Sequence, residues 1–483
     1  MKFVSTHAAG TSSGHADHVG HARAGTSSGH ADHVGHEAVT FREALFKGIA
    51  ADGGLYRPRE MPDLHSTIRG FTRNTSFARV AAELTRALFP SEIGADAFDL
   101  AKQSFPFAPR LVPWSDKISI LELFHGSSHA FKDFGASFLA ACMEYFLAGK
   151  SGSAGGLPAG KSGAAGGLPA GKSGAAIILT ATSGDTGSAV AQAFHQREHI
   201  DVVILYPSGR VSPSQEKHMT TIGGNIHALE VEGNFDDCQR MVKEAFAAPA
   251  LKHLPLTSAN SINVGRLIPQ SFYYVYAFAQ IQKELNGTPL YFAVPSGNFG
   301  NLTAGIYAWK WGLPVRGFIA ATNKNDVVPQ YLETGLFSPR RSLRTYANAM
   351  DVGNPSNFER LLDVFHYKQA DIQKMIRAYA VNDDEILRVM KEAWETRGMF
   401  VCPHTATGIK SAERFSFNTK DCHIITLATA HPAKFNEVVL KACGKTAPVP
   451  EGIAESLKKK KQSVRIAHTL NALSDFLQNF ERD

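Results

Sequence analysis

The stretch Ile177-Ile178-Leu179-Thr180-Ala181-Thr182-Ser183-Gly184-Asp185-Thr186-Gly187-Ser188 decides the fold. Ile177 to Ala181 reads as a buried strand, the glycine-rich turn breaks it, and Ser188 to His195 takes up a helical pattern. Val202 to Tyr206 and Ile226 to Val231 read as further strands, the second followed by a helix through Asp237 to Phe246. Near-continuous apolar strands with short connections predict a parallel sheet covered by helices on both faces. A second such stretch runs from about Leu290 to Leu427, with strands at Leu290 to Val294, Val315 to Ala321 and His423 to Leu427. The fold class is therefore α/β, with two open domains and mainly parallel sheets, beside a small N-terminal domain.

Two strand-to-helix junctions carry candidate chemistry. Thr182 to Gly187 follows one strand; Ser296-Gly297-Asn298-Phe299-Gly300-Asn301 follows another and opens a helix from Leu302. In each, glycines allow close backbone approach and the free N–H groups at the helix start favour an anion. Capping alone also produces such turns. Open α/β sheets, however, bind ligands at the carboxyl ends of their strands.

Lys132 stands in Phe131-Lys132-Asp133-Phe134-Gly135, before a helix expected over Ala136 to Ala148. A lysine held away from water is less readily charged, so its amine becomes nucleophile and base near neutral pH, as a Schiff-base lysine must. An exposed lysine pairing with Asp133 reads the same five residues equally well. Combined with one cradle for a phosphate and another for a carboxylate, the reactive lysine supplies the parts of a pyridoxal phosphate enzyme.

Composition sets the outer limits. The chain has 483 residues, 44% hydrophobic and 19% charged, enough for two or three domains with substantial cores. A net charge of +6, partly concentrated in Lys458 to Lys461 and read as a solvated helix face, does not suggest nucleic-acid binding. Cys142, Cys238, Cys402, Cys422 and Cys443 show no C-x-x-C spacing, which suits a reducing compartment, and no apolar run reaches the length of a membrane span. The expected location is the cytoplasm.

Two tandem duplications interrupt the pattern. Ala9 to His21 recurs as Ala24 to His36, and Gly149 to Ala159 recurs almost unchanged as Gly160 to Ala170. Their Gly/Ala/Ser-rich composition reads as surface insertion. Gly155 to Ser162 and Gly166 to Ser173 match G-x-x-x-x-G-K-S, yet neither follows a strand nor opens a helix, so a P-loop nucleotide-binding protein is a remote alternative. Gly10 to Gly14 matches G-x-S-x-G without the following helix that exposes a serine nucleophile. The triplets His15, His18, His21 and His30, His33, His36 could take up a metal adventitiously, but no rigid element fixes them and no functional metal is expected.

The motifs together resemble the threonine synthases of the bacterial and fungal branch, within the tryptophan-synthase-β-like, fold type II pyridoxal phosphate family. The resemblance rests on Met1 to Thr6, Asp52 to Tyr56, Phe124-His125-Gly126 with Ala130 to Phe134, Ala181 to Gly187, Tyr206 to Gly209, Asn260 to Asn263 with Arg266, Ser296 to Asn301, and Thr429 to Phe435. It implies that Lys132 carries pyridoxal phosphate and then shuttles protons. Gly297, Asn298, Phe299, Gly300 and Asn301 would hold the cofactor phosphate, and Thr429 would meet the pyridine nitrogen. Ser183, Gly184, Asp185, Thr186 and Gly187 would face the amino-acid end of the substrate and the cofactor's ring oxygen, while Asn260, Ser261, Asn263 and Arg266 would meet the substrate phosphate. Arg266 also reads as a structural ion-pair partner.

The implied reaction turns O-phospho-L-homoserine and water into L-threonine and phosphate, in a monomer or homodimer. A related fold type II lyase acting on another phosphorylated or hydroxy amino acid or amine is the alternative, because Ser127-Ser128-His129 stands where the family usually has Pro-Thr after His-Gly. The implied division is an N-terminal domain over 1–106 with the insertion 9–36, and a large cofactor-binding domain over 107–148 and 260–445. The insertion 149–176, a small α/β domain over 177–259 and a C-terminal extension over 446–483 complete it.

Overall fold

The computed structural model describes residues 1–7, 38–150 and 176–479. The duplicated segments, with their P-loop-like, G-x-S-x-G and histidine-triplet matches, lie outside the described residues, apart from Gly149 and Lys150. The described strands are β1 (Phe3–Ser5), β2 (Tyr56–Pro58), β3 (Arg110–Pro113), β4 (Ile118–Glu122), β5 (Ala176–Ala181), β6 (Ile200–Pro207), β7 (Ile226–Glu232), β8 (Leu256–Thr257), β9 (Leu290–Pro295), β10 (Gly317–Thr322), β11 (Ile376–Ala380), β12 (His423–Ala428) and β13 (Val464–Ala467).

A six-stranded sheet has the order β11-β10-β9-β12-β4-β3, parallel except for the antiparallel edge strand β3. A five-stranded, wholly parallel sheet has the order β13-β7-β6-β5-β8. β1 and β2 form an antiparallel pair of their own. Strands β5 and β10 are buried at every position, as parallel strands covered on both faces must be. The α/β expectation with two mainly parallel sheets is met.

The helix bearing Lys132 runs Lys132–Leu147, four residues earlier than its sequence pattern suggested, so the lysine is its first residue. Burial on almost all sides holds it there. Phe134 meets Phe77 edge-on at 5.2 Å and Tyr273 at 5.2 Å, while Phe138 meets Phe272 at 5.7 Å. Each fully buried ring contributes about 1.5–3 kcal/mol of transfer free energy, so the lysine is mounted on a rigid element.

Two expectations about the C-terminus are corrected. The segment after 445 is more than an extension: β13 pairs with β7, and Leu473 and Leu477 enter the core of the five-stranded sheet. Nor do Lys458 to Lys461 form a helix face, since the helix stops at Lys458. Lys461 instead binds Glu216 and Glu230, each at 2.6 Å.

Candidate active site

Sheet order assembles the site. Because β12 lies between β9 and β4, the loops leaving their carboxyl ends meet, and these carry Thr429, Ser296 to Asn301, and the approach to Lys132. The backbone zips two of them together: Leu123 N–H donates to Ala428 O at 3.0 Å, Phe131 N–H to Thr429 O at 2.8 Å, and His431 N–H to His129 O at 3.0 Å. Across from them stands the turn Thr182 to Gly187 of the five-stranded sheet. The cleft between, about 2720 Å³, is lined by Lys132, Ser183, Asp185, Thr186, Asn260, Ser261, Arg266, Gly297 to Asn301 and Thr429.

The junction after β9 keeps its amides open. Phe299 takes a left-handed conformation (φ 60°) and leads into the helix Gly300–Lys310. Among the described residues, the backbone N–H groups of Asn298 to Asn301 meet no acceptor. The Asn301 side chain is oriented from behind, where Tyr273 and Tyr274 hydroxyls donate to its Oδ1 at 2.6 and 2.7 Å. Its buried Nδ2 has no partner among the described residues. Such a row of unspent donors at a helix start fits a phosphate.

The junction after β5 is built differently. Gly184 and Gly187 N–H groups both donate to Thr182 Oγ1, at 2.9 and 2.8 Å. Gly184 has φ 140°, and a Cβ there would lie 2.5 Å from the Gln215 side chain. Neither Gly184 nor Gly187 is among the cleft-lining residues, and both are closely packed within the turn. The helix Asp185–Phe194 begins three residues before its expected start, on Asp185 itself. Its buried carboxylate pairs with Lys434 Nζ at 2.7 Å and accepts from Gln215 Nε2 at 3.0 Å. The N–H groups of Ser183, Asp185 and Thr186, all on cleft-lining residues, meet no acceptor among the described residues, so this junction too keeps donors open to the cleft.

Electrostatics suit Lys132 to its expected role. Burial lowers its amine to about 8, opposed by the Asp185 carboxylate and assisted by Lys434 and Arg266. For Asp185, burial acts upward, but the ammonium groups of Lys434 and Lys132 outweigh it and hold the carboxyl well below the usual range. His404, which also lines the cleft, is pushed down to about 4 by burial. Its Nε2 accepts from Ala349 N–H at 3.1 Å, which keeps the ring neutral and its tautomer fixed.

The candidate phosphate-binding residues divide. Arg266 is 2% exposed, donates to Ala259 O at 2.5 Å, and forms no ion pair with a carboxylate among the described residues. Burial lowers it to about 10. Gly135 permits the close approach of the lysine helix, since a Cβ there would lie 2.7 Å from Arg266 O. A buried guanidinium with no carboxylate within ion-pair distance, Asp133 acting on it only from further off, and open to a cleft, suits an anionic ligand. Ser261 Oγ accepts from Asn298 Nδ2 at 2.8 Å and from Asn357 Nδ2 at 3.3 Å, which leaves its own proton to donate. Asn260 lines the cleft with its Oδ1 buried and unpartnered among the described residues.

Asn263 does not reach the cleft. Its Nδ2 donates to Leu45 O and Ser258 O, each at 2.8 Å, and its Oδ1 accepts from Gly265 N–H at 2.9 Å. It caps a helix and ties the N-terminal segment down. Ser127, Ser128 and His129 also lie outside the cleft lining, so their departure from the family pattern makes no direct contact there. Ser128 N–H instead donates to Asp133 at 3.0 Å.

Sequence reasoning missed Lys434, Gln215, His404 and Arg360. Lys434 stood inside the quoted Thr429 to Phe435 motif without a role. Arg360 is fully buried, bonding Tyr56 O at 2.9 Å, Asn357 Oδ1 at 2.6 Å and Ile262 O, and so braces the loop that presents Ser261.

An unsaturated anion cradle facing a partly buried amine matches a phosphate-bearing aldehyde. Residues 118–425 match the pyridoxal-phosphate dependent enzyme family, 32–104 the threonine synthase N terminus and 405–477 the threonine synthase C-terminal family. Threonine synthase of Serratia marcescens is 38% identical over 92% of this chain and 96% of its own. That of Escherichia coli is 39% identical over 87% and 92%. The crystal structure of pyridoxal phosphate-bound threonine synthase from Brucella melitensis covers 100% of both chains with a TM-score of 0.83 and 31% identity. The chain belongs to the threonine synthase family of pyridoxal phosphate-dependent enzymes.

Proposed function

We propose that the cleft converts O-phospho-L-homoserine and water to L-threonine and phosphate. Pyridoxal phosphate, when bound, supplies an aldehyde that takes up amines and a ring that accepts electron density from the substrate's α-carbon. The open amides of Asn298 to Asn301 and the Asn301 Nδ2 would hold its phosphate. Lys132 would carry the cofactor and afterwards hold the proton taken from the α-carbon at its Nζ, a task suited to an amine already lowered by burial. Thr429, buried at the end of β12, would offer a neutral hydroxyl to the ring. Ser183 and Thr186 would receive the amino-acid end of the substrate.

The observation that carries the substrate reading is Arg266: a buried cation without a carboxylate partner, beside the donor hydroxyl of Ser261. A second phosphate, on the substrate, gives both a purpose. The test is release of phosphate from O-phospho-L-homoserine with threonine identified as product. Release without threonine would indicate the related lyase instead. Borohydride reduction followed by peptide mapping should place a pyridoxyl group on Lys132; an adduct elsewhere refutes its role. Free thiols at all five cysteines support the reading of a reducing, cytoplasmic location.

A further inference from the structure

Lys434 is a buried cation with no part in the reaction as described so far. Its side chain is 1% exposed and that of Asp185 5%, and their 2.7 Å contact joins the loop after β12 to the first helical turn after β5. The same Nζ donates to Ser128 O at 2.8 Å, four residues before Lys132. One ammonium thus touches a carboxylate from the five-stranded sheet and the turn that leads into the lysine helix of the six-stranded one.

Asp185 and Lys132 line the same cleft. A carboxylate near a buried amine stabilises the ammonium form, which is neither nucleophile nor base. Among the described residues no carboxylate lies within ion-pair distance of Lys132, whereas Asp185 is held by Lys434. Asp133, the next residue, has its carboxylate on Ser128 N–H, and burial pushes it up to about 6. The remaining charged or titratable neighbours are Arg266, His404, and His129, His218 and His431 around Lys434. Burial lowers each of these histidines to about 4, so at neutral pH none supplies a competing charge.

We propose that Lys434 is a positioning residue that keeps the Asp185 carboxylate as its own counter-ion, leaving the Lys132 amine without a carboxylate partner and so more readily deprotonated to its reactive form. The inference rests on Lys132 being the cofactor-bearing lysine. Lys434 supplies a fixed positive charge that balances Asp185 without itself entering the cleft lining. Burial favours the neutral amine of Lys132, and it does so fully only as long as the nearby carboxylate has another partner. A simple clasp between the two sheets would hold the fold together but have no hold on the Lys132 proton.

The distinguishing measurement is the pH dependence of Lys132 acylation by acetic anhydride. It is made on the full-length chain after dialysis to remove cofactor, with peptide mass mapping and circular dichroism to verify folding. Lys434→Met should raise the Lys132 midpoint by about one unit or more, Asp185→Asn should lower it, and the double variant should return it towards the parent value. Lys434→Arg, which keeps the charge, should leave it in place. An unmoved midpoint in either folded single variant overturns the proposal. Should Lys434→Met not fold, Asp185→Asn alone decides. Because no cofactor is present, the result stands apart from the borohydride test of where the cofactor attaches.

Discussion

The two glycine-rich junctions that face each other across the cleft look alike in sequence and are braced differently. Thr182 to Gly187 turns two of its amides inward onto Thr182 and starts its helix with a paired carboxylate. Gly297 to Asn301 spends its side chains on bracing and leaves its amides exposed to a ligand. A helix start attracts negative charge in both cases. In one the first helical residue is itself an acid, Asp185, held by Lys434 and Gln215; in the other there is no acid, and the four N–H groups from Asn298 to Asn301 stand open. Glycine content therefore says that a turn is tight, while the fate of its N–H groups says what it binds.

The comparison can be broken or sharpened by substitution. The largest effect is expected at the lysine both junctions face: Lys132→Ala should lower threonine formation by more than about 10³-fold with an unchanged circular dichroism spectrum. Next, Asp185→Asn leaves Lys434 buried without its partner and should cost about 3–5 kcal/mol in urea unfolding. At the opposite junction, Asn301→Asp keeps the acceptor for Tyr273 and Tyr274 but turns the free donor into a charge. It should weaken cofactor binding about 100-fold by fluorescence titration with little change in the melting temperature of the apoprotein. If the Asn301 variant lost only stability and the Asp185 variant only cofactor, the two assignments would have to be exchanged.

Thr182→Val removes the acceptor of two N–H groups within the first junction and should cost about 2 kcal/mol, without an effect on cofactor affinity. The smallest change concerns His218, 2% exposed, with both ring nitrogens unpartnered among the described residues. Burial lowers this imidazole from 6.5 to about 4, so the folded state prefers the neutral ring. That contribution to stability is full above pH 6.5 and is lost as pH falls towards 4. His218→Leu should accordingly stabilise the chain by about 1 kcal/mol at pH 7.5 and by more at pH 5, read from urea midpoints.

Much of the framework was legible because parallel strands must be apolar along their whole length. The expected strands beginning at Ile177, Val202, Ile226, Leu290 and His423 lie within β5, β6, β7, β9 and β12. The expectation at Val315 started two residues early, since β10 begins at Gly317. β13 escaped notice because it is an edge strand, exposed at three of its four positions, and lacks the apolar run that marks the interior of a sheet. Asn263 was misread because a polar residue beside a cleft motif looks the same whether it faces ligand or caps a helix.

The sequence by itself determined the local units: the strands, the tight turns between strand and helix, the reactive lysine at the head of an apolar helix, and the family motifs. Each is written in a few neighbouring residues. Only the tertiary structure decided which carboxylate Lys434 neutralises, that Arg266 has no carboxylate within ion-pair distance, and how each junction is braced. Those outcomes depend on hydrogen bonds and charges brought together from segments as distant as Asp185 and Lys434, under a burial that makes each unpaired charge costly.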